Sequence, residues 1–121
     1  MRLTKCKLKY TLGMMRRRAL VYSTAKGVEP YVDYVDSLKD REGAARIRAR
    51  VTRAELGNLG DHHGVGDGVI ELRIHFGPGY RVYVALQGKD LIILLCAGDK
   101  GSQTKDILRA IDYWSDYRRT S

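Results

Sequence analysis

From Val69 onward the chain alternates apolar and polar residues. Ile70, Leu72, Ile74 and Phe76 are interleaved with Val69, Glu71, Arg73 and His75, and beyond Gly77-Pro78-Gly79 the residues Val82, Val84 and Leu86 are interleaved with Arg81, Tyr83 and Ala85. A period of two is the side-chain spacing of a pleated strand, so two paired strands are predicted with the first set of each on a core face. The Gly-Pro-Gly reversal closes them into a hairpin. Gln87-Gly88-Lys89-Asp90 turns the chain again. Leu91 to Cys96 is apolar on both faces, which predicts a strand covered on both sides near the middle of a sheet.

Outside this region the period lengthens. Ala19-Leu20-Val21-Tyr22 reads as a short strand, closed by the Ala25-Lys26-Gly27 turn. Glu29-Pro30 places a proline where a helix begins, and Val32, Val35 and Leu38 follow at three-residue spacing to an end near Lys39. Asp40 is positioned to cap a second helix with Ala44, Ile47, Val51 and Ala54 on its core stripe, and Gly57-Asn58 to stop it. Gly57 to Gly68 holds five glycines in twelve residues and no apolar period, so a connecting loop is expected. Ser102 is placed to cap a last helix with Ile107, Ala110, Ile111, Trp114 and Tyr117 on one stripe. The expected fold is α+β, in the order β-α-α-β-β-β-α, with two N-terminal helices and a C-terminal helix packed on a mostly antiparallel sheet. At 121 residues the length suits one core, with residues 1–15 as an N-terminal tail or extension and 16–121 as the domain.

Charge narrows the partners. Lys plus Arg number 22 against 14 Asp plus Glu, a net +8 that favours a polyanion, with an acidic protein surface as the other option. Cys6 and Cys96 imply no disulfide framework. The longest apolar run, Leu91 to Ala97, is far short of the roughly 20 residues a membrane-spanning helix needs, and the basic N-terminus lacks a signal peptide's apolar region. A cytoplasmic protein without a membrane span is expected. His62-His63, flanked by Asp61 and Asp67, lacks the spacing of a metal site, and the glycines of Gly64 to Gly68 precede a strand and so lack the context of a phosphate loop. No metal or cofactor is expected. In the strand pattern, Arg73, His75, Arg81 and Tyr83 share the polar face. Arg46, Arg50 and Arg53 form a basic stripe on the second helix, opposite its core face.

GNLG (57–60), VGDGVIELRI (65–74), FGPGYRVY (76–83), LIILLCAGDK (91–100) and SQTKDILRA (102–110) together resemble the addiction module killer proteins, a branch of the RelE/ParE toxin superfamily related to the HigB-type toxins. The likeness runs from about Arg16 to Trp114. It departs at Cys96-Ala97-Gly98, where the pattern usually has two glycines before Asp-Lys, and in the extra N-terminal residues. The resemblance implies a RelE-like fold and the toxin of a type II toxin-antitoxin module, neutralised by a helix-turn-helix antitoxin. Many superfamily members cut mRNA on the ribosome, while the ParE-like ones inhibit DNA gyrase. The leading expectation is a ribosome-dependent, metal-independent mRNA endoribonuclease that arrests translation. The alternatives are a gyrase inhibitor without nuclease activity and an inactive basic binding module.

Metal-free RNA cleavage needs a base for the 2′-hydroxyl, cations for the phosphate charge and a proton for the leaving oxygen. Arg81 falls on the superfamily's YR position and Arg73 on its ELR position, where guanidiniums would grip phosphate oxygens. Lys100 resembles the basic residue related toxins keep after the last strand, as phosphate clamp or general acid. His75 is the candidate for proton transfer and Tyr83 for stacking on a base. Arg46, Arg50 and Arg53 are the candidate RNA-binding stripe. Gln103 and Asp106 belong to the SQxxDI motif, and a place in the helix's first turn accounts for Asp106 through the helix dipole.

Overall fold

A computed structural model of the chain describes residues 16–120, so the expected tail and Cys6 lie outside the described residues. In chain order the elements are β1 Arg18–Val21, α1 Pro30–Ser37, α2 Arg41–Glu55, β2 His62–Gly66, β3 Val69–Ile74, β4 Tyr80–Gln87, β5 Leu91–Gly98, a 3-10 turn Lys100–Ser102, and α3 Gln103–Thr120. The five strands form one sheet in the order β1-β5-β4-β3-β2. β1 runs parallel to β5, and every other pair is antiparallel. The α+β class, the three helices and the mostly antiparallel sheet agree with the expectation. The element order does not, because β2 lies inside the stretch expected to be loop. That strand is exposed along most of its length and hides no apolar face. Its order comes from pairing His62 to Gly66 against β3, and the tight Gly66-Asp67-Gly68 reversal, with positive φ at all three residues, makes that pairing local.

Both faces of the sheet are covered. α1 and α2 pack Tyr31, Val35, Ala44, Ile47 and Val51 against Leu72, Ile74, Val82, Val84, Ile92 and Leu94. On the other side α3 packs Ala110 and Trp114 against Val69, Tyr83, Ala85, Ile93 and Leu95. Each fully buried Leu, Ile or Val of this kind contributes about 1.5–3 kcal/mol. The hairpin's second face is therefore a core in its Val69-Tyr83-Ala85 half, and its polar character survives only toward Arg73 and Arg81. β5, buried along most of its length between β1 and β4, fits the doubly covered strand of the sequence.

Two local devices aim the strands at the site. Between Tyr83 and Val84 the β4–β5 register slips, so that Leu95 and Cys96 both lie on the α3 side while Ala97 joins the α1/α2 side. Gly98 then falls opposite Arg81. The second device ties α2 to the hairpin. Asp40 caps the helix through Oδ1, which accepts from the Gly43 N–H at 2.9 Å, and its Oδ2 accepts from the Tyr80 hydroxyl at 2.7 Å.

Gly43 is pinned by this arrangement, since a Cβ there would lie 2.5 Å from Tyr80 Cε2. Helix propensity alone would favour alanine by about 1 kcal/mol. Because Tyr80 is buried and cannot swing aside, we expect Gly43→Ala to lower stability by about 1–3 kcal/mol. Urea titration of the variant checks the sign, and an unchanged or raised midpoint would mean that Tyr80 yields.

Candidate functional site

The centre of the site is a carboxylate. Glu71 stands directly across from Tyr83, and Arg73 directly across from Arg81, on β3 and β4. Glu71 is completely buried. Its Oε1 accepts from Arg73 Nε at 2.9 Å, and its Oε2 accepts from the Tyr83 hydroxyl at 3.0 Å and from Gln103 Nε2, at the start of α3, at 2.9 Å. Arg81 Nε lies 3.8 Å from the same Oε2, too far for a hydrogen bond, and is buried without another partner. Burial pushes the Glu71 carboxyl up, but the hydrogen bonds from Arg73, Gln103 and Tyr83 and the charge of Arg81 outweigh it and hold the group below the usual glutamate range. Two guanidiniums facing each other across a strand pair would repel. One buried carboxylate offsets half of that charge and leaves a net positive centre.

The predicted site residues part company here. Arg73 and Arg81 share the centre, as the alternation implied; the Arg73 side chain is 30% exposed and that of Arg81 10%. Tyr83 is on the same face but wholly buried under α3, with burial foremost among the causes that raise its hydroxyl pKa. It cannot stack on a base, so that expectation is corrected: Tyr83 positions Glu71. Lys100 is exposed in the 3-10 turn, with its Cβ packed beside Gly79 of the hairpin turn. That turn begins at Asp99, whose side chain caps it, so Ser102 lies within the turn and α3 starts one residue later.

His75, at the end of β3, turns to Asp61, with Nε2 2.5 Å from Oδ2. It lines an open groove of about 460 Å³ together with Arg46, Arg50 and Arg53 of α2, Asp61 and Arg73. Arg50 was expected on the solvent side of α2. It is instead 5% exposed, with Nε donating to the Arg73 carbonyl at 3.2 Å and Nη2 to the carbonyls of Asp61, at 2.9 Å, and Leu59. Its Nε and Nη2 fasten the 57–61 loop to the sheet, which corrects its assignment to RNA contact. Arg46 and Arg53 remain exposed on the rim. Arg46 pairs with Glu42 at 3.0 Å and lies over the Phe76 ring. Arg73 takes part in both places, its side chain bonded to Glu71 and its carbonyl accepting from Arg50 at the groove.

Glu71 and Gln103 were not among the candidate site residues, Gln103 being placed only in the SQxxDI motif, and Asp106 was set down to the helix dipole. The available signal was a glutamate between Ile70 and Leu72 with an arginine two residues on, because a charge in a strand that packs on both faces must be paired. Asp106 is buried and bonded to Ser102 Oγ and Arg109 Nη1. His62 and His63 are exposed on β2, and no cluster of metal-ligating side chains occurs among the described residues. Cys96 is buried, and burial pushes its thiol up to about 12, as suits a packing residue. No helix of the described residues is long and apolar enough to cross a membrane.

Fold and site together define a small α+β domain with a paired-arginine centre and a basic groove that share Arg73. No family model matches the chain. An uncharacterized protein of Haemophilus influenzae (strain ATCC 51907 / DSM 11121 / KW20 / Rd) is 49% identical to it over 77 residues, 64% of this chain and 78% of that protein. The chain belongs to the same family as that H. influenzae protein.

Proposed function

We propose that the protein is a toxin of the RelE/ParE type that acts on RNA in the cytoplasm, as a ribosome-dependent, metal-independent mRNA endoribonuclease held in check by a helix-turn-helix antitoxin. The observation that carries this reading is the pair of guanidiniums, Arg73 and Arg81, opposed across two strands and held by one buried carboxylate. Such a pair is pre-ordered for a phosphate, whose arrival relieves the repulsion between its members. The groove with Arg46 and Arg53 extends the cationic surface away from that point, as a strand of RNA backbone requires. The likeness of FGPGYRVY and the neighbouring motifs to the killer proteins supports the same reading.

Induction of the protein in cells lacking the antitoxin should arrest growth and leave cuts within translated mRNA, mapped by primer extension. Arg81→Ala should reduce cutting at least about 100-fold, the scale of losing one charge-stabilising donor. Because Arg81 is mostly buried, the exposed pair Arg46→Ala/Arg53→Ala is run beside it and should weaken cutting without changing the melting temperature. Growth arrest with DNA damage and intact mRNA would establish the gyrase reading in its place, and no arrest an inactive module.

A further inference from the structure

At the mouth of the groove a group of ionisable side chains stands apart from the Glu71 centre. His75 Nε2 lies 2.5 Å from Asp61 Oδ2, and His63 Nε2 lies 3.7 Å from Asp61 Oδ1. Asp61 is fixed in place, because its carbonyl accepts from the Arg73 N–H at 3.0 Å and from the buried Arg50 at 2.9 Å. The hydrogen bond with His75 keeps the Asp61 carboxyl below its ordinary range, so it is an acceptor only and the proton between them belongs to His75 Nε2. Whenever the ring carries a single proton, Nδ1 is then the unprotonated nitrogen, and it has no hydrogen-bond partner among the described residues. Around the imidazole stand Arg46, Arg50 and Arg53 of α2, Arg73 of β3, and His63 beside Asp61. Arg50 is committed to carbonyls and Arg73 to Glu71, while Arg53 has no ion pair among the described residues.

We infer that His75 is the base of the RNA cleavage proposed above, and that Asp61 is its positioning residue, fixing the tautomer and ring so that Nδ1 faces a ribose in the groove. The inference rests on the nuclease reading. In the step, Nδ1 takes the proton of a 2′-hydroxyl and the 2′ oxygen bonds to the adjacent phosphorus. The bond from phosphorus to the 5′ oxygen breaks, and that oxygen leaves with the electron pair and takes a proton from water. The products are a 2′,3′-cyclic phosphate and a 5′-hydroxyl. An oriented carboxylate-imidazole pair suits this work because the ring must be presented in one tautomer.

Two measurements test it. Nitrogen-15 NMR of the intact protein should show His75 protonated at Nε2 in the wild type and as a mixture of tautomers in Asp61→Asn; a wild-type ring protonated at Nδ1 overturns the pair. In ribosomes programmed with a defined mRNA, Asp61→Asn and His75→Ala should each lower kcat about 100-fold with KM little changed. The double variant should be no slower than His75→Ala alone, and the acid limb of the pH profile should be absent without His75. Additive losses, or Asp61→Asn cutting at the wild-type rate, overturn the inference while leaving the nuclease reading standing. A wild type that cuts no mRNA removes both.

Discussion

Gly98→Ala is expected to destabilise the fold by about 2–4 kcal/mol, the sum of overpacking and of a buried polar group losing its partner. A Cβ at position 98 would lie 1.9 Å from Asp106 Oδ2 and 2.8 Å from Ser102 Oγ. The oxygen cannot retreat at small cost, since Asp106 is 3% exposed and is held by Ser102 and Arg109. Backbone conformation plays no part, as Gly98 is not among the glycines with positive φ. The requirement is for space alone. If that account is right, the cost of Gly98→Ala in an Asp106→Ala background should fall to roughly half or less, since the clashing oxygen is gone. Full additivity in chemical denaturation would show that the strain lies elsewhere.

The second large effect belongs to Glu71→Gln. Removing one partner of a buried ionic group costs roughly 3–5 kcal/mol, because the remaining charges stay buried and unpaired. Here those charges are Arg81, mostly buried, and the partly exposed Arg73, opposed across the strands. A fall in melting temperature on the order of 10–20 °C is expected for a domain of this size. The variant should also change the acid response. The Glu71 pKa is depressed in the folded state below the ordinary value of 4.5, so its contribution is complete above 4.5 and is lost as pH falls through the lower folded value. Stability of the wild type should therefore drop across that interval, and Glu71→Gln should lack this part of the drop. Parallel wild-type and variant curves of stability against pH would remove Glu71 from the account.

What could be read in the sequence follows from how periodic each segment is. The stripe Ala44, Ile47, Val51 and Ala54 and the Leu72, Ile74, Val82 and Val84 face of β3–β4 each repeat at a fixed spacing and are buried where expected, and the Asp40 cap is found as well. β2 was missed because a strand ordered by backbone pairing at a sheet edge buries no side-chain pattern to read. Tyr83 and Arg50 were misjudged for a related reason. Periodicity says which face a residue is on, but not whether a distant helix or loop covers that face; α3 closes over Tyr83, and the 57–61 loop closes over Arg50. Asp61 and His75 are 14 residues apart and meet only because β2 folds back along β3.

The sheet is assembled on two scales of chain length. The Glu71 centre draws its residues from positions 71 to 103, through tight hairpin turns and one strand-to-helix turn. β1 must instead find β5, pairing Arg18 with Leu91 and Val21 with Leu94. A chain emerging from the ribosome thus exposes β1 long before its partner exists. The arginine pair can be set by short loops, while the closing edge strand waits for a large, slow loop closure. Docking of β1 is therefore expected to be among the last events of folding, and a chain stopped before Leu91 would have no parallel neighbour for its first strand.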